Sequence, residues 1–413
     1  MKMNTQLRWM FTLAAAGAMT LTLVPEADAA RRASLGQNRL ILDKNDVYLF
    51  PQTSTEYNNL LSLEYGGAQN AGSGLALIGN DAMVFGLGIY RGDLFTAQGY
   101  PYNLGHPNLG NVGNPLAPVS PQAHTIFDLF AGFDMGAGAA GARLSLGNGG
   151  QRNVDGEDVV DAQTHNFVGL TLGYSMMGDT RVDTGLNIQF NSGNEINGGD
   201  DVLDVSRLAI GATARAYMPM AERTSLGILG DVTFESNGAT GRTFDANGVE
   251  TSSTETTSSA FGIMAGVGPV FELKEATTLA GYALLGVATE GTDPDTDTDF
   301  DGQRITTYLT PGVHVAADIQ LLDWLYFRTG AQYTYIGATT SNEIDPDAGN
   351  NVRDTTTANI RTSDFGWRAG LGIELGDFTL DGAFQAGFIT NGPDFLGGAG
   401  GGMFTSVAAG YRF

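Results

Sequence analysis

The last eleven residues read Met403-Phe404-Thr405-Ser406-Val407-Ala408-Ala409-Gly410-Tyr411-Arg412-Phe413. Alternate positions differ in polarity, with Val407, Tyr411 and Phe413 on one face and Ser406 and Arg412 on the other. A strand of about ten residues with one continuous apolar face is typical of a strand that faces lipid. The stretch therefore predicts a β-strand at a membrane, and the same alternation is expected upstream.

The composition and the first residues limit the functional class. The formal net charge is −24, from 45 acidic and 21 basic residues, which argues against nucleic acid as a partner. The chain has no cysteine, so disulfides and zinc–thiolate sites are excluded. Residues 1–29 combine a basic start, an apolar run and the sequence Ala27-Asp28-Ala29, which predicts a cleaved signal peptide. No later run of about 18 apolar residues predicts a helical membrane span.

Period-2 alternation predicts about sixteen strands, with fourteen as the alternative because the first two candidates are short for a membrane span. The clearest candidate is 361–375, where Phe365 and Trp367 alternate with Arg368. The candidates lie near 57–66, 72–79, 82–91, 124–135, 137–147, 165–177, 181–191, 204–218, 223–235, 259–273, 277–289, 303–319, 323–337, 361–375, 378–390 and 403–413.

The connections between these candidates alternate between short and long, and every long one falls on the same side. Short periplasmic turns and long extracellular loops are typical of an outer-membrane barrel. We therefore predict an all-β, antiparallel transmembrane barrel over 57–413, preceded by a periplasmic or luminal segment over 30–56. The expected location is the outer membrane of a Gram-negative cell. The expected partners are its lipid and lipopolysaccharide and the barrel-assembly machinery, which would bind the C-terminal strand.

The face opposite the lipid carries charges of both signs, which we expect to line the lumen because exposing them to lipid is costly. One interpretation is a hydrated channel whose selectivity these groups set. The other is that arginines and aspartates pair across the wall and fill a narrower lumen. The candidate selectivity residues are Arg207, Arg215, Asp231, Arg304, His314, Asp318, Arg328, Asp364 and Arg368.

The connection 92–123 differs from the other long ones because it is rich in proline, glycine and aromatic residues and carries one formal charge, Asp93. It is interpreted either as an infolded constriction, with Phe95, Tyr100 and Tyr102 near the solute path, or as a compact loop packed on the barrel rim.

Two further sets of residues bear on metal binding and catalysis. Asp295, Asp297, Asp299 and Asp301 present carboxylates at every second position, which predicts either weak calcium binding or a solvated acidic loop. No other cofactor is expected. The four histidines form no convincing catalytic set with a nucleophile or with paired acids, so we do not expect an enzyme.

The order of these features resembles the outer-membrane proteins around the long-chain fatty-acid transporters. The resemblance is carried by Ser34-Leu35-Gly36 and by Asp46-Val47-Tyr48-Leu49-Phe50-Pro51-Gln52, where Phe50 and Gln52 replace the family's Asn and Ala. It implies an N-terminal segment that sits in the lumen as a hatch, and a hydrophobic cargo. It supplies no binding residue.

The function expected from the residues is passive diffusion of small solutes through a polar lumen. The alternatives are a plugged barrel that transports hydrophobic compounds, as the resemblance implies, and a non-conducting surface or structural barrel. In the last case, acidic connections such as 148–164 and 338–360 would form the contact surface. The solute, the oligomeric state and any subunit contact stay open.

Overall fold

A computed structural model describes residues 30–66, 72–92, 124–155, 158–197, 200–244, 249–274, 276–295, 300–344, 356–384 and 404–413. An α-helix, α1 (Ala30–Ser34), and two 3-10 helices, Lys44–Tyr48 and Pro51–Tyr57, precede the strands. The strands are β1 (Leu60–Gly66), β2 (Gly72–Gly79), β3 (Met83–Gly92), β4 (His124–Asp134), β5 (Gly138–Asp155), β6 (Asp158–Met176), β7 (Arg181–Asn197), β8 (Asp200–Ala221), β9 (Thr224–Phe244), β10 (Glu250–Lys274), β11 (Thr277–Asp295), β12 (Phe300–Leu322), β13 (Leu325–Ile344), β14 (Thr356–Leu375), β15 (Phe378–Phe384) and β16 (Phe404–Arg412).

These strands of the described chain close into one antiparallel barrel in which each strand pairs with its sequence neighbours. The ring is closed by β16, where Tyr411 lies opposite Leu61 on β1 and Phe378 on β15. The prediction of a closing strand is confirmed. Sixteen strands rather than fourteen are also confirmed, because β1 and β2 complete the ring although they have only 7 and 8 residues.

The two faces of the barrel wall differ in polarity as the alternation predicted. Phe365 and Trp367 are 67% and 44% exposed on the outer surface, whereas Arg143, Arg215 and Arg328 are buried toward the interior. An outward surface of exposed apolar side chains fits lipid rather than water. The prediction of an apolar outside and a charged inside is confirmed for these strands.

Strand β10 shows how tall the lipid-facing band is. Its outward residues are apolar and exposed from Phe271 to Phe261, and polar from Ser259 onward. The ten residue steps between the two phenylalanines correspond to about 34 Å of strand, or about 24 Å along the membrane normal at a tilt of about 45°. That height matches the apolar band of about 25 Å in outer-membrane barrels. The remaining residues of β10 therefore extend beyond the membrane.

The connections differ between the two ends of the barrel. At the short-turn end, residues 135–137, 177–180, 222–223, 323–324 and 376–377 join neighbouring strands, and Gly136 and Gly376 have φ of +80° and +66°, which favours glycine. At the opposite end, the strands extend further than predicted: β5 reaches Asp155 and β10 begins at Glu250. These extensions are polar on both faces, so hydrophobic periodicity does not reveal them.

Among the described residues, no helix has the length and apolar character needed to cross a membrane.

Candidate functional site: the lumen and its N-terminal segment

The N-terminal segment, residues 30–59, lies against the inward face of the barrel at the short-turn end. Its residues 49–54 cross a row of four glycines that the strand register aligns, Gly132, Gly141, Gly173 and Gly185 on β4 to β7. A Cβ atom on Gly141 would lie 2.5 Å from Cα of Gln52. The glycines therefore form a shallow trough in which backbone packs against backbone.

Two apolar clusters hold the segment on opposite parts of the wall. Leu35, Leu40 and Ile41 pack with Leu229, Val270, Ala280, Tyr282, Leu284 and Ala316 from β9 to β12. Val47 and Tyr48 pack with Leu60, Leu75, Leu77, Val84 and Phe130 from β1 to β4. Burial of these side chains supplies a non-directional part of the docking free energy.

Buried ion pairs join the segment to the wall between the clusters. Arg215 of β8 donates to Asp46 of the segment at 2.6 Å and to Asp183 of β7 at 2.7 Å. The three side chains are at most 1% exposed. A buried pair of this kind is weak evidence for net stability, but removal of one partner leaves a charge without compensation. The Arg215 pairs therefore fix the position of the segment.

Three further pairs repeat this arrangement around the ring. Arg31 donates to Asp318 of β12 at 2.8 Å, Arg39 to Asp231 of β9 at 2.6 Å, and Arg181 of β7 to Glu56 at 2.6 Å. In addition, Arg328 of the wall bonds Asp318 and Asp381, so the Arg31 pair is part of a wall network. In each pair, the charge on the segment and the charge on the wall are opposite in sign, so that each compensates the other.

The segment also has internal order. Asp43 caps the first 3-10 helix by accepting from the backbone of Asn45 at 2.9 Å, and it accepts from Arg31 at 2.8 Å. Asp46 completes the capping box and pairs with Arg32. Burial alone raises the pKa of Asp43, but the guanidinium groups of Arg31 and Arg32 outweigh it and hold that pKa well below its usual value.

His314 of β12 lies beside the N-terminal segment and contacts an aromatic ring. Its ring stacks on Tyr282 with centroids 4.8 Å apart and an interplanar angle of 7°. Tyr282 belongs to the apolar cluster that holds Leu40, so the stacked pair lies next to the segment. Asp318, four residues further along β12, bonds Arg31 and Arg328.

Above the segment, toward the long-connection end, the inward face remains polar. Arg207 donates to Glu235 at 2.6 Å, and Asn237 donates to Glu235 at 3.0 Å and to Ser258 at 3.1 Å. Next to the segment, Asp128 accepts from Ser145, and Arg143 lies 3.7 Å from Asp128 and 5.7 Å from the ring centroid of Tyr48. This part of the lumen wall presents paired charges and hydrogen-bonding groups over several strands.

The structure brings some of the predicted selectivity residues together and separates others. Arg215, Asp231 and Asp318 contact the N-terminal segment directly, and Arg328 joins them through Asp318. Arg207 lies higher on the wall. Arg368 faces inward on β14, where its backbone carbonyl accepts from Thr329 at 3.0 Å.

Other predicted residues are either assigned only to a strand or lie outside the described residues. Arg304 and Asp364 belong to β12 and β14, while Asp295 and Asp301 lie in β11 and β12. Phe95, Tyr100, Tyr102, Asp297 and Asp299 lie outside the described residues, so the constriction and calcium interpretations stay predictions. Within the part of the chain that the structure describes, no group of three or more acidic or histidine side chains is arranged to hold a metal ion.

The sequence reasoning missed the charges on the segment itself. Arg31, Arg39, Asp43 and Asp46 are each paired with a wall or segment residue. The available signal was the placement of charged residues among apolar ones between Arg39 and Pro51, a pattern unusual for an unpacked lead-in.

Comparisons with known proteins give fold-level likeness only. No known family matches the chain, and no curated protein resembles it significantly. The ferric yersiniabactin uptake receptor FyuA from Yersinia pestis is 9% identical, with 85% of this chain and 79% of that chain covered and a TM-score of 0.37. The siderophore receptor PiuA from Acinetobacter baumannii is 8% identical, with 78% and 62% covered and a TM-score of 0.41.

The translocator domain of the autotransporter NalP from Neisseria meningitidis is 12% identical, with 68% of this chain and 90% of that chain covered and a TM-score of 0.31. Likeness of this degree says nothing about what this chain carries. The fold stands on its own geometry: a closed ring of sixteen antiparallel strands with an apolar outward band and a charged interior. The fold is that of a β-barrel that spans a membrane, the architecture found in bacterial outer membranes.

Proposed function

We propose that the protein is an outer-membrane channel for small hydrophilic solutes and that the N-terminal segment gates it from the short-turn end. The observation that carries the proposal is that residues 30–59 lie inside a polar lumen and contact the wall through noncovalent pairs such as Arg215–Asp46 and Arg39–Asp231. Water replaces such pairs when they separate, so the segment has a route to undocking.

The polarity of the lumen favours hydrophilic solutes over the hydrophobic cargo that the fatty-acid-transporter resemblance implies. Above the segment, the wall presents Arg207, Glu235 and Asn237 to the interior. The buried apolar side chains at the segment are packed against each other in the two clusters. A hydrophobic compound gains little from a lumen of this composition.

The other parts of the proposal follow from the barrel. The strands from Leu60 onward form the channel, because Tyr57 ends a 3-10 helix and does not begin β1 as predicted. Residues 1–29 are removed as a signal peptide, and the apolar band contacts outer-membrane lipid and lipopolysaccharide. The barrel-assembly machinery recognises the C-terminal strand. Passage is passive and requires neither a catalytic residue nor a cofactor.

A disulfide lock tests the gate. The chain has no cysteine, so two introduced cysteines can form a disulfide only with each other. A Cβ atom built on Gly132 lies 3.6 Å from Cβ of Ser54, within the range of about 3.5–4.5 Å that disulfides require. The variant carries Ser54→Cys and Gly132→Cys, and each single substitution serves as a control for its effect without a bond.

Conductance in planar bilayers is the measurement. We expect stepwise conductance from the double variant under reducing conditions and its loss on oxidation, while the single variants do not respond to oxidant. Equal conductance in the oxidised and reduced forms would refute the gate. If the folded barrel conducts in no form, including a variant without residues 30–56, the channel itself is refuted and a non-conducting scaffold is left.

We propose that the connection 92–123 forms a second constriction of the channel. Deletion of residues 97–120 is expected to raise the conductance of the reduced channel, and an unchanged conductance would remove this role from the loop.

A further inference from the structure

Arg39 of the N-terminal segment occupies a site on the wall whose hydrogen-bonding groups match a guanidinium. Its Nη1 donates to Oδ2 of Asp231 at 2.6 Å, and its Nη2 donates to Oδ1 of Asp231 at 3.1 Å. The same Nη2 donates to the hydroxyl of Thr213 at 2.7 Å, and that hydroxyl donates to Asp231 at 2.6 Å. A planar guanidinium forms such a pair of parallel bonds to one carboxylate, whereas an ammonium group acts as a point charge.

Asp231 depends on the segment for the compensation of its charge. Within the described part of the chain, Arg39 is its only cationic partner. Asp318, by contrast, keeps Arg328 of the wall at 3.1 Å when Arg31 of the segment leaves. Undocking therefore leaves Asp231 with the Thr213 hydroxyl but without a cation, so a cation from solution can take the place of Arg39.

This site lies on the side of the segment that faces the long-connection end of the barrel. Thr213 and Asp231 are opposite each other on β8 and β9. Leu229, which belongs to the apolar cluster under the segment, is two residues nearer the short-turn end of β9. Once the segment undocks, the site therefore faces a solute that enters from the long-connection end.

The outer part of the barrel favours cationic solutes at that entrance. On β5 to β14, the residues beyond the apolar band comprise 16 acidic and 5 basic residues, a formal net charge of −11. Residues 30–66, which include the segment, carry four acidic and four basic residues. An opening with one sign of charge raises the local concentration of solutes of the opposite sign. The residues counted beyond the band are 147–155, 158–167, 191–197, 200–207, 235–244, 250–260, 288–295, 300–312, 334–344 and 356–364.

We propose that Asp231 and Thr213 bind small solutes that carry a guanidinium group, and that Arg39 fills this site as an internal competitor while the channel is closed. The inference rests on the proposed gate, because Arg39 excludes the solute as long as the segment is docked. A solute that binds only the undocked state raises the population of that state in proportion to its occupancy of the site. Guanidinium solutes therefore hold the channel open.

Cysteine labelling measures undocking without relying on conductance. Ser34 and Ser54 are 1% and 0% exposed in the docked segment, and the chain has no cysteine. Ser34→Cys and Ser54→Cys are therefore specific reporters on either side of Arg39. The full-length protein, refolded in detergent, is treated with a maleimide while Nα-acetyl-arginine amide is titrated. When docking is faster than labelling, the labelling rate follows the undocked population.

Three probes of similar shape distinguish the guanidinium from other groups. The arginine probe, at ten times its dissociation constant for the undocked state, should raise the labelling rate by about 10-fold. Nα-acetyl-citrulline amide is neutral and should leave the rate unchanged, because it does not compensate the charge of Asp231. Nα-acetyl-lysine amide has the same charge as the arginine probe without its planar geometry, and should give a smaller rise at equal concentration.

Substitutions locate the site. Asp231→Asn should raise the basal labelling rate and abolish the response to the arginine probe. Thr213→Val removes one hydrogen bond and should shift the titration to about 3- to 10-fold higher concentration. Arg31→Gln, the matched control, weakens docking at Asp318 but leaves the site intact, so the fold-increase caused by the probe should be retained. Heat-modifiable mobility on gels shows that each barrel is folded.

The outcomes separate this inference from the proposed function. No response at either reporter, an equal response to the citrulline probe, or an undiminished response in folded Asp231→Asn would overturn the site even if the protein conducts. A response that depends on Asp231 in a barrel that never conducts would uphold the site and refute the channel.

Discussion

Replacement of Arg215 by leucine should release the N-terminal segment from the lumen. The guanidinium compensates two carboxylates, Asp46 on the segment and Asp183 on the wall, at 2.6 and 2.7 Å. Arg215→Leu keeps an apolar side chain of moderate size but leaves both carboxylates buried. Arg181 still lies 3.1 Å from Asp183 and Arg32 still pairs with Asp46, so each carboxylate keeps one cationic partner.

The cost of breaking a buried pair, about 3–5 kcal/mol, sets the upper limit of the effect, because Arg32 still pairs with Asp46. At about 1.4 kcal/mol per tenfold, the undocked population rises by at most roughly 10²- to 10⁴-fold. The free energy that the substitution removes from docking cannot exceed the docking free energy itself, because undocking returns Asp46 to water. The segment therefore opens while the barrel, held by its own strand pairing, stays folded.

Limited trypsin digestion measures the undocked population. The segment carries its cleavage sites at Arg31, Arg32, Arg39 and Lys44, of which Arg39 is only 8% exposed when docked. When closing is faster than cleavage, the cleavage rate follows the open population. Mass spectrometry of the released N-terminal peptides gives that rate.

The control for this experiment is Arg207→Leu, the same substitution on the same strand at a pair with Glu235 of the wall. It should change N-terminal cleavage by less than about 3-fold. Heat-modifiable mobility on gels verifies that both barrels are folded. If Arg215→Leu cleaves at the wild-type rate in a folded barrel, the pairs at Arg215 do not hold the segment and the gate reasoning fails.

Three other perturbations have defined outcomes. Gly185→Ala places a Cβ atom against the segment's backbone and should expose the segment to trypsin, whereas Gly230→Ala, with nothing within 4 Å of its Cβ, should not. The pKa of Asp43 is lowered in the docked segment, so its contribution to docking is complete above the pKa of the undocked carboxyl, about 4. That contribution is lost as the pH falls through the lower pKa of the docked state. A protease active in acid should therefore cleave the segment faster only below about pH 4. Ile263→Arg, in the middle of the lipid-facing band of β10, should lower the free energy of unfolding in urea by about 2–4 kcal/mol, against about 0–1 kcal/mol for Ser253→Arg on the same face outside the band.

The orientation of the wall was predictable because it is a local property. In β14, Phe365 and Trp367 alternate with Arg368, and a period of two places them on opposite faces whatever the partners are. The strand extensions were not predictable on the same basis. Between Glu250 and Ser259 both faces carry serine, threonine and glutamate, so the alternation is lost where lipid no longer requires it.

The site depended on information that the sequence does not display. Arg215 and Asp46 are 169 residues apart, and their contact requires the ring to close and the segment to enter it. The four-glycine trough likewise exists only after the register aligns Gly132, Gly141, Gly173 and Gly185 across four strands. Glycine enrichment was visible in the sequence, but its alignment is a result of strand pairing.

The kind of contact between segment and wall decides whether a gate is physically reasonable. A plug held only by apolar packing would leave an exposed apolar lumen on departure, at a cost proportional to the area uncovered. Here, departure exposes Asp183, Asp231 and Asp318 of the wall and Arg31 and Arg39 of the segment, groups that water solvates well. The glycine trough adds backbone surface rather than large apolar side chains. The two apolar clusters then add to the free energy of docking, while the ionic contacts fix the resting position and keep the undocked state accessible.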